Sequence, residues 1–139
     1  MSREHVLVVD DLSDLRMIMA AHLDSAGYDV GEESSGEGLL AYVATIVPDL
    51  IVLDVVMPGI GGLEACRRMR AMPRLNEVRV LFVTCGTDEV MAEACALGAD
   101  VLQKPFKREE LLRRIDRLLG SNRTTEPIRR DHIAWFAEI

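Results

Sequence analysis

Residues 6–11 read VLVVDD, a run of four apolar residues that ends in two acids. The same kind of run recurs at 50–54, which reads LIVLD, and at 80–84, which reads VLFVT. Apolar runs that are rich in Val and Ile and lack polar alternation are typical of strands buried on both faces of a parallel sheet. The sequence therefore predicts a buried parallel sheet, with weaker strands at 28–30 and 101–103.

Helical stretches lie between these strands. In the first, Leu15, Ile18 and Met19 keep the i, i+3, i+4 spacing of one helix face, with Ser13 or Asp14 as N-cap. The stretches end where Gly or Pro stops a helix. Five helices are predicted, at about 14–26, 36–45, 62–72, 88–97 and 107–119.

Strand and helix thus alternate five times. This order gives an α/β fold, a doubly wound parallel sheet with right-handed crossovers and helices on both faces. We predict one domain over residues 1–120. Residues 121–127 read as a polar linker, and 129–139 as a short C-terminal helix with Trp135 and Phe136 among its apolar positions. We interpret this tail as the start of an output region, or as a segment for dimerisation or docking.

Charge and composition exclude several classes of protein. The chain has 139 residues, a formal net charge of -7 and a pI of about 4.9, which argues against a nucleic-acid footprint or docking on anionic lipid. No apolar run approaches the roughly 20 residues of a membrane span, and Met1–His5 does not begin a signal peptide, so we expect a cytoplasmic protein. Cys66, Cys85 and Cys95 are an odd number without CxxC spacing, which predicts neither disulfides nor a zinc site.

Five polar residues directly follow strands. Asp10 and Asp11 come after the first strand and Asp54 after the third, while Thr84 and Lys104 follow the fourth and fifth. Ligands bind at the carboxyl ends of parallel strands, near the point where strand order reverses. If the second strand is the edge, the other four are neighbours, and all five side chains converge on one crevice.

Such a set has a defined chemistry. Crowded carboxylates repel one another, and a hard divalent cation removes that penalty. Mg²⁺ fits because it takes oxygen ligands and bridges to phosphate oxygens. A carboxylate can also attack phosphorus to form an aspartyl phosphate, with the metal, an ammonium and a hydroxyl orienting the equatorial oxygens.

Over about 4–120, these motifs together resemble the receiver domain of bacterial response regulators, of the chemotaxis type. The motifs are VLVVDD at 6–11, LDVVMPGIGG at 53–62, FVT at 82–84 and KPF at 104–106. The resemblance implies a flavodoxin-like sheet order of 2-1-3-4-5. It also implies phosphorelay signalling: a sensor histidine kinase or phosphotransfer protein donates the phosphoryl group, and a downstream protein or output domain reads it. Homodimers occur in the family.

The resemblance also assigns roles. It implies that Asp54 is the phosphoacceptor and that Asp10, Asp11, Asp54 and the backbone carbonyl of Val56 hold Mg²⁺. Thr84 is expected to move toward the phosphoryl group, and Lys104 to pair with it through its ammonium group. The peptide bond before Pro105 is expected to be cis. On this reading the protein catalyses only its own phosphorylation and dephosphorylation and is not otherwise an enzyme.

Three departures from the family pattern stand out. Val101 occupies the position where the family often has a switching aromatic residue, so the resemblance does not carry over the usual coupling between that ring and Thr84. Gly61–Gly62 replaces a common Asp-Gly, which affects the start of the third helix. Val56 and Gly86, at positions that tune phosphoryl lifetime, offer no polar side chain, so we expect slow self-dephosphorylation.

Alternative functions are less well supported. An aspartate-nucleophile phosphatase needs an acid two residues past the nucleophile, where this chain has Val56. A flavin site needs a phosphate loop where this chain has the acidic residues 10–14. A receiver-like interaction module that accepts no phosphate stays open, because Val101 lacks the switching ring.

Overall fold

The computed structural model describes residues 3–120, which form one five-stranded parallel sheet. The sheet order is β2-β1-β3-β4-β5, so the predicted doubly wound, flavodoxin-like fold is confirmed. The prediction of a linker and short helix at 121–139 lies outside the described residues. The strands are β1 His5–Val9, β2 Asp29–Glu33, β3 Leu50–Asp54, β4 Arg79–Thr84 and β5 Asp100–Gln103.

Five helices cover the two faces of the sheet. α1 and α5 pack on one face, where Met19, Leu23 and Ile115 belong to the same buried cluster as Val6 and Val8. The other face carries α2, α3 and α4. The helices are α1 Ser13–Ser25, α2 Gly36–Val43, α3 Gly61–Arg70, α4 Asp88–Ala96 and α5 Arg108–Leu118.

Predicted and observed boundaries differ where polar residues or local bonds decide them. β2 runs to Glu33, three residues past its predicted end, because an edge strand pairs on one side only and tolerates polar residues. α1 begins earlier than predicted: Leu12, not Ser13 or Asp14, is its N-cap. A short 3-10 turn at Pro73–Leu75, which was not predicted, buries Leu75.

The helices differ in how firmly they are anchored. α1 has three buried residues, Met19, Ala20 and Leu23, whereas α4 has one, Ala94.

No helix formed by residues 3–120 combines the length and apolar character that crossing a bilayer requires.

The start of α3 lies against the backbone of β3. The N–H of Gly62 donates to the carbonyl oxygen of Val55 at 2.9 Å. A Cβ atom on Gly62 would lie 2.0 Å from the carbonyl oxygen of Asp54. Only glycine fits there, so the second residue of the Gly61–Gly62 pair sets how closely α3 approaches the end of β3.

We predict that Gly62→Ala lowers the free energy of unfolding by about 3 kcal/mol, because the backbone of α3 must shift to relieve the clash. The control is Gly98→Ala. Gly98 has a φ of +74° but open space around it, so only the strain of a left-handed alanine, about 1 kcal/mol, is expected. Urea denaturation of both variants measures the difference, and equal losses would contradict the steric argument.

Candidate functional site

The parallel register brings the predicted site residues to one edge of the sheet. Val9 is paired with Leu53, so Asp10 follows β1 beside Asp54 at the end of β3. Asp54 is paired with Val83, which places Thr84 one residue further along β4. Lys104 follows Gln103, the partner of Thr84 in β5.

Asp10 is completely buried, and its polar atoms are almost all bonded. Its Oδ1 accepts a hydrogen bond from the N–H of Leu12 at 2.9 Å. No hydrogen-bond donor among the described residues reaches its Oδ2, which lies 3.5 Å from Nζ of Lys104. A buried carboxylate oxygen in this state is available to a cation.

Asp54 is the second buried acid, with 6% of its surface exposed. Its Oδ1 accepts a hydrogen bond from the N–H of Val56 at 3.3 Å, and its Oδ2 lies 3.6 Å from Nζ of Lys104. Burial raises the pKa of the Asp54 carboxyl, and the Asp10 carboxylate raises it further. Lys104 opposes this shift but does not cancel it.

Three carboxylates meet at this edge. One oxygen from each of Asp10, Asp11 and Asp54 lies within 4.8 Å of the other two. This donor set, all oxygen and all acidic, fits a hard divalent cation such as Mg²⁺. Oδ2 of Asp10 supports the same fit, because no described residue gives this buried oxygen a hydrogen bond and a cation would satisfy it.

The remaining predicted residues lie in the same place. A cleft of about 400 Å³ is lined by Asp11, Leu12, Asp54, Val56, Thr84, Cys85, Gly86 and Lys104. Oγ1 of Thr84 accepts a hydrogen bond from the N–H of Gly86 at 3.1 Å. The N–H of Lys104 donates to the carbonyl oxygen of Thr84 at 2.9 Å. The bond between Lys104 and Pro105 is cis, as the resemblance implied.

Sequence reasoning missed one contact beside the acids. Nη1 of Arg16 donates to the carbonyl oxygen of Asp10 at 2.9 Å. The sequence indicates this contact only through the position of Arg16, one turn into α1. An arginine on a helix surface is usually solvated, so the position alone does not predict the hydrogen bond. The bond depends on the angle between α1 and β1, which residue order does not give.

Comparison with known proteins identifies the family. The family model of the response regulator receiver domain matches residues 6–116 of this chain. The chain belongs to this family. It is therefore a receiver domain of two-component signalling.

Individual relatives of this chain are also response regulators. The receiver domain is similar to the DNA-binding response regulator MtrA of Mycobacterium tuberculosis, with 34% identity over 122 residues, 86% of this chain and 52% of that protein. It is 39% identical to the response regulator MprA of Mycolicibacterium vanbaalenii over 120 residues, 86% of this chain and 51% of that protein. The chain thus spans about half the length of the curated relatives it matches.

Solved structures show the same fold over nearly their whole length. The chemotaxis protein CheY4 of Vibrio cholerae superposes with a TM-score of 0.79 at 33% identity, covering 84% of this chain and 99% of that one. A response regulator receiver protein from Pseudomonas putida gives a TM-score of 0.79 at 29% identity, covering 84% and 98%.

We predict that Asp54→Asn stabilises the metal-free receiver domain, because it removes a buried charge that the Asp10 carboxylate repels. Because the pKa of Asp54 is raised above its ordinary 3.8, the folded protein holds this proton more tightly than the unfolded chain does. Stability from this group is therefore lost as pH rises above that value, and an uncharged amide restores it. Thermal unfolding in chelator at pH 7 measures the effect.

The control is Asp88→Asn, in the exposed first turn of α4. A carboxylate there interacts favourably with the helix N-terminus, so this variant should gain no stability. Loss of stability in Asp54→Asn would show that the pairing of Asp54 with Lys104 outweighs its burial and its repulsion from Asp10.

Proposed function

We propose that this receiver domain, residues 1–120, takes a phosphoryl group on Asp54 and changes partner binding in response. Mg²⁺ would be held by Asp10, Asp11, Asp54 and the backbone carbonyl of Val56. The observation that carries the proposal is the meeting of three carboxylate oxygens within 4.8 Å of one another, beside Nζ of Lys104. The family match makes the same chemistry the first expectation.

Phosphoryl transfer needs a nucleophile and compensation of charge. A carboxylate oxygen of Asp54 forms the new bond to phosphorus, and the bond from phosphorus to the donor nitrogen or oxygen breaks, with its electron pair leaving on the donor. Mg²⁺, when bound, neutralises the equatorial oxygens. Lys104 already lies within 3.6 Å of both buried acids, so it holds a positive charge where negative charge accumulates.

The response would start at Thr84. Its hydroxyl accepts a hydrogen bond from Gly86 in this structure, and we propose that it turns toward the phosphoryl oxygens after transfer. Val101 is half-buried and packs against the core on the face of the sheet that carries α2, α3 and α4. A valine has no ring to swing, so the signal would leave through the segment that follows β4 rather than through residue 101.

The partners follow from the same chemistry. A sensor histidine kinase or a phosphotransfer protein would supply the phosphoryl group, and a downstream protein or output domain would read it. MtrA is named a DNA-binding regulator. Because the net charge of this chain is -7, we propose that any contact with DNA would be made by another domain and not by this receiver domain. Pairing of two copies stays a prediction. The absence of turnover on other substrates is also a prediction. It rests on Val56, which occupies the position where an aspartate-nucleophile phosphatase needs an acid.

A receiver-like interaction module without phosphorylation is the second candidate. One observation favours it, the Val at position 101 in place of a switching aromatic residue. The intact acidic set in the cleft favours phosphorylation instead.

We predict that incubation with Mg²⁺ and acetyl phosphate adds one phosphoryl group to the protein, as measured by intact mass. The gain should vanish in chelator, because the acids then repel the incoming phosphate. It should also vanish in Asp54→Asn, which lacks the nucleophile but keeps the shape of the cleft.

The matched control is Asp49→Asn, an acid that directly precedes β3 and whose Oδ2 accepts a hydrogen bond from the N–H of His5. This variant should gain the phosphoryl group as the wild type does. No gain by the wild type with any donor or kinase would favour the interaction module, and an equal gain in Asp54→Asn would place the acceptor elsewhere.

We further predict that the phosphorylated protein, freed of donor, loses the group over minutes or longer. Val56 is 73% exposed beside the acceptor but apolar, and Gly86 has no side chain, so neither orients a water for attack. Val56→Asn, which introduces an amide at the cleft, should shorten the half-life. A wild-type half-life of a few seconds would contradict this reasoning.

A further inference from the structure

We propose that Arg16 is a positioning residue for the acidic site, because it fixes the peptide unit that joins Asp10 to Asp11. This inference rests on the proposed function, since it concerns how the same residues are held ready for Mg²⁺. Arg16 lies on α1 and is not itself a lining residue of the cleft; its backbone N–H donates to the carbonyl oxygen of Leu12 at 2.9 Å, in the first turn of the helix.

The guanidinium group of Arg16 links two parts of the fold. Its Nη1 donates to the carbonyl oxygen of Asp10 at 2.9 Å, and its Nε donates to Oε1 of Glu32 at 3.0 Å. Only 18% of the Arg16 side chain is exposed, against 40% for Glu32. Arg16 therefore connects α1 to the end of β1 and to the edge strand β2, in an environment screened from most solvent.

The bond from Arg16 completes the restraint on Asp10. The N–H of Asp10 donates to the carbonyl oxygen of Glu33 at 3.1 Å, and its Oδ1 accepts from the N–H of Leu12 at 2.9 Å. With its carbonyl oxygen held by Arg16, every polar atom of Asp10 except Oδ2 has a hydrogen-bond partner. The orientation of Oδ2 is thus set before a cation arrives.

Loss of the hydrogen bond from Arg16 would displace both Asp10 and Asp11. The carbonyl carbon of Asp10 and the nitrogen of Asp11 belong to one planar peptide unit, so rotation of that unit turns the Asp11 side chain away from its position. Mutual repulsion among the three carboxylates drives this rotation when no cation is bound. Arg16 opposes it with a charge-assisted hydrogen bond.

The expected result is a weaker metal site with intact chemistry. For Arg16→Gln, half-saturation by Mg²⁺ should rise about tenfold, the size of effect seen when groups behind metal ligands are removed. At saturating Mg²⁺ the phosphorylation rate should return to within about twofold of wild type, because the cation itself then holds the acids in place.

The experiment titrates Mg²⁺ into the metal-free protein by calorimetry and measures the initial rate of phosphorylation by acetyl phosphate at each Mg²⁺ concentration. The matched control is Arg74→Gln. Arg74 also donates to backbone carbonyls, to Val43 at 2.6 Å and Ala44 at 3.1 Å, but at the end of α2 rather than beside the acids. This control should leave half-saturation unchanged.

Exchange of the Leu12 amide provides a readout without metal or phosphate. Arg16→Gln should speed its exchange in chelator, because the Asp10 carboxylate that accepts its hydrogen bond becomes mobile. Arg16→Lys retains the charge but offers one compact ammonium in place of a fork, so its half-saturation should fall between wild type and Arg16→Gln.

The outcomes separate the two proposals. A wild type that binds no Mg²⁺ and gains no phosphoryl group overturns the proposed function together with this inference. A wild type that does both, with Arg16→Gln or Arg16→Lys showing wild-type half-saturation, overturns only the role of Arg16. An equal rise in Arg74→Gln also overturns it, since the effect would then be one of general stability. If Arg16→Gln does not fold, the result from Arg16→Lys decides.

Discussion

The parallel register of β1, β3 and β4 is the constraint on which the site depends. Asp10 and Asp54 stand 44 residues apart in the sequence, and Asp54 and Thr84 stand 30 apart. They become neighbours only because these strands run in one direction and end at one edge. The buried runs of the strands supply the free energy that holds this register. The acids at their ends would repel one another if any weaker arrangement held them.

The fold supports this concentration of negative charge in two ways. Lys104 reaches both buried acids, Asp10 and Asp54, and so compensates part of their charge. Backbone N–H groups and Arg16 take up the remaining hydrogen-bonding capacity of Asp10, leaving one oxygen for a cation. The site is therefore assembled but electrostatically incomplete, which is the condition that favours binding of a divalent ion and an anionic group together.

The sequence predicted the buried strands and the five polar residues that follow them because both depend on patterns that are local. An apolar run followed by an acid is visible in residues 6–11 without knowledge of any other part of the chain. The polar edge strand β2 was placed less well, since its stability comes from pairing with β1 rather than from its own composition. Arg16 was missed because its partners, Asp10 and Glu32, are brought together only by packing.

Because the helices bury different numbers of side chains, some of them open locally more easily than others. α4 is attached by Ala94, with Val90 and Leu97 only partly buried, while α1 inserts three buried side chains into the sheet. Local opening of a segment requires less free energy when fewer apolar contacts break. Among the five α-helices of residues 3–120, the one with the fewest buried residues thus begins within a few residues of Thr84. Opening of α4 therefore requires less free energy than opening of α1, whose buried side chains belong to the core of the sheet.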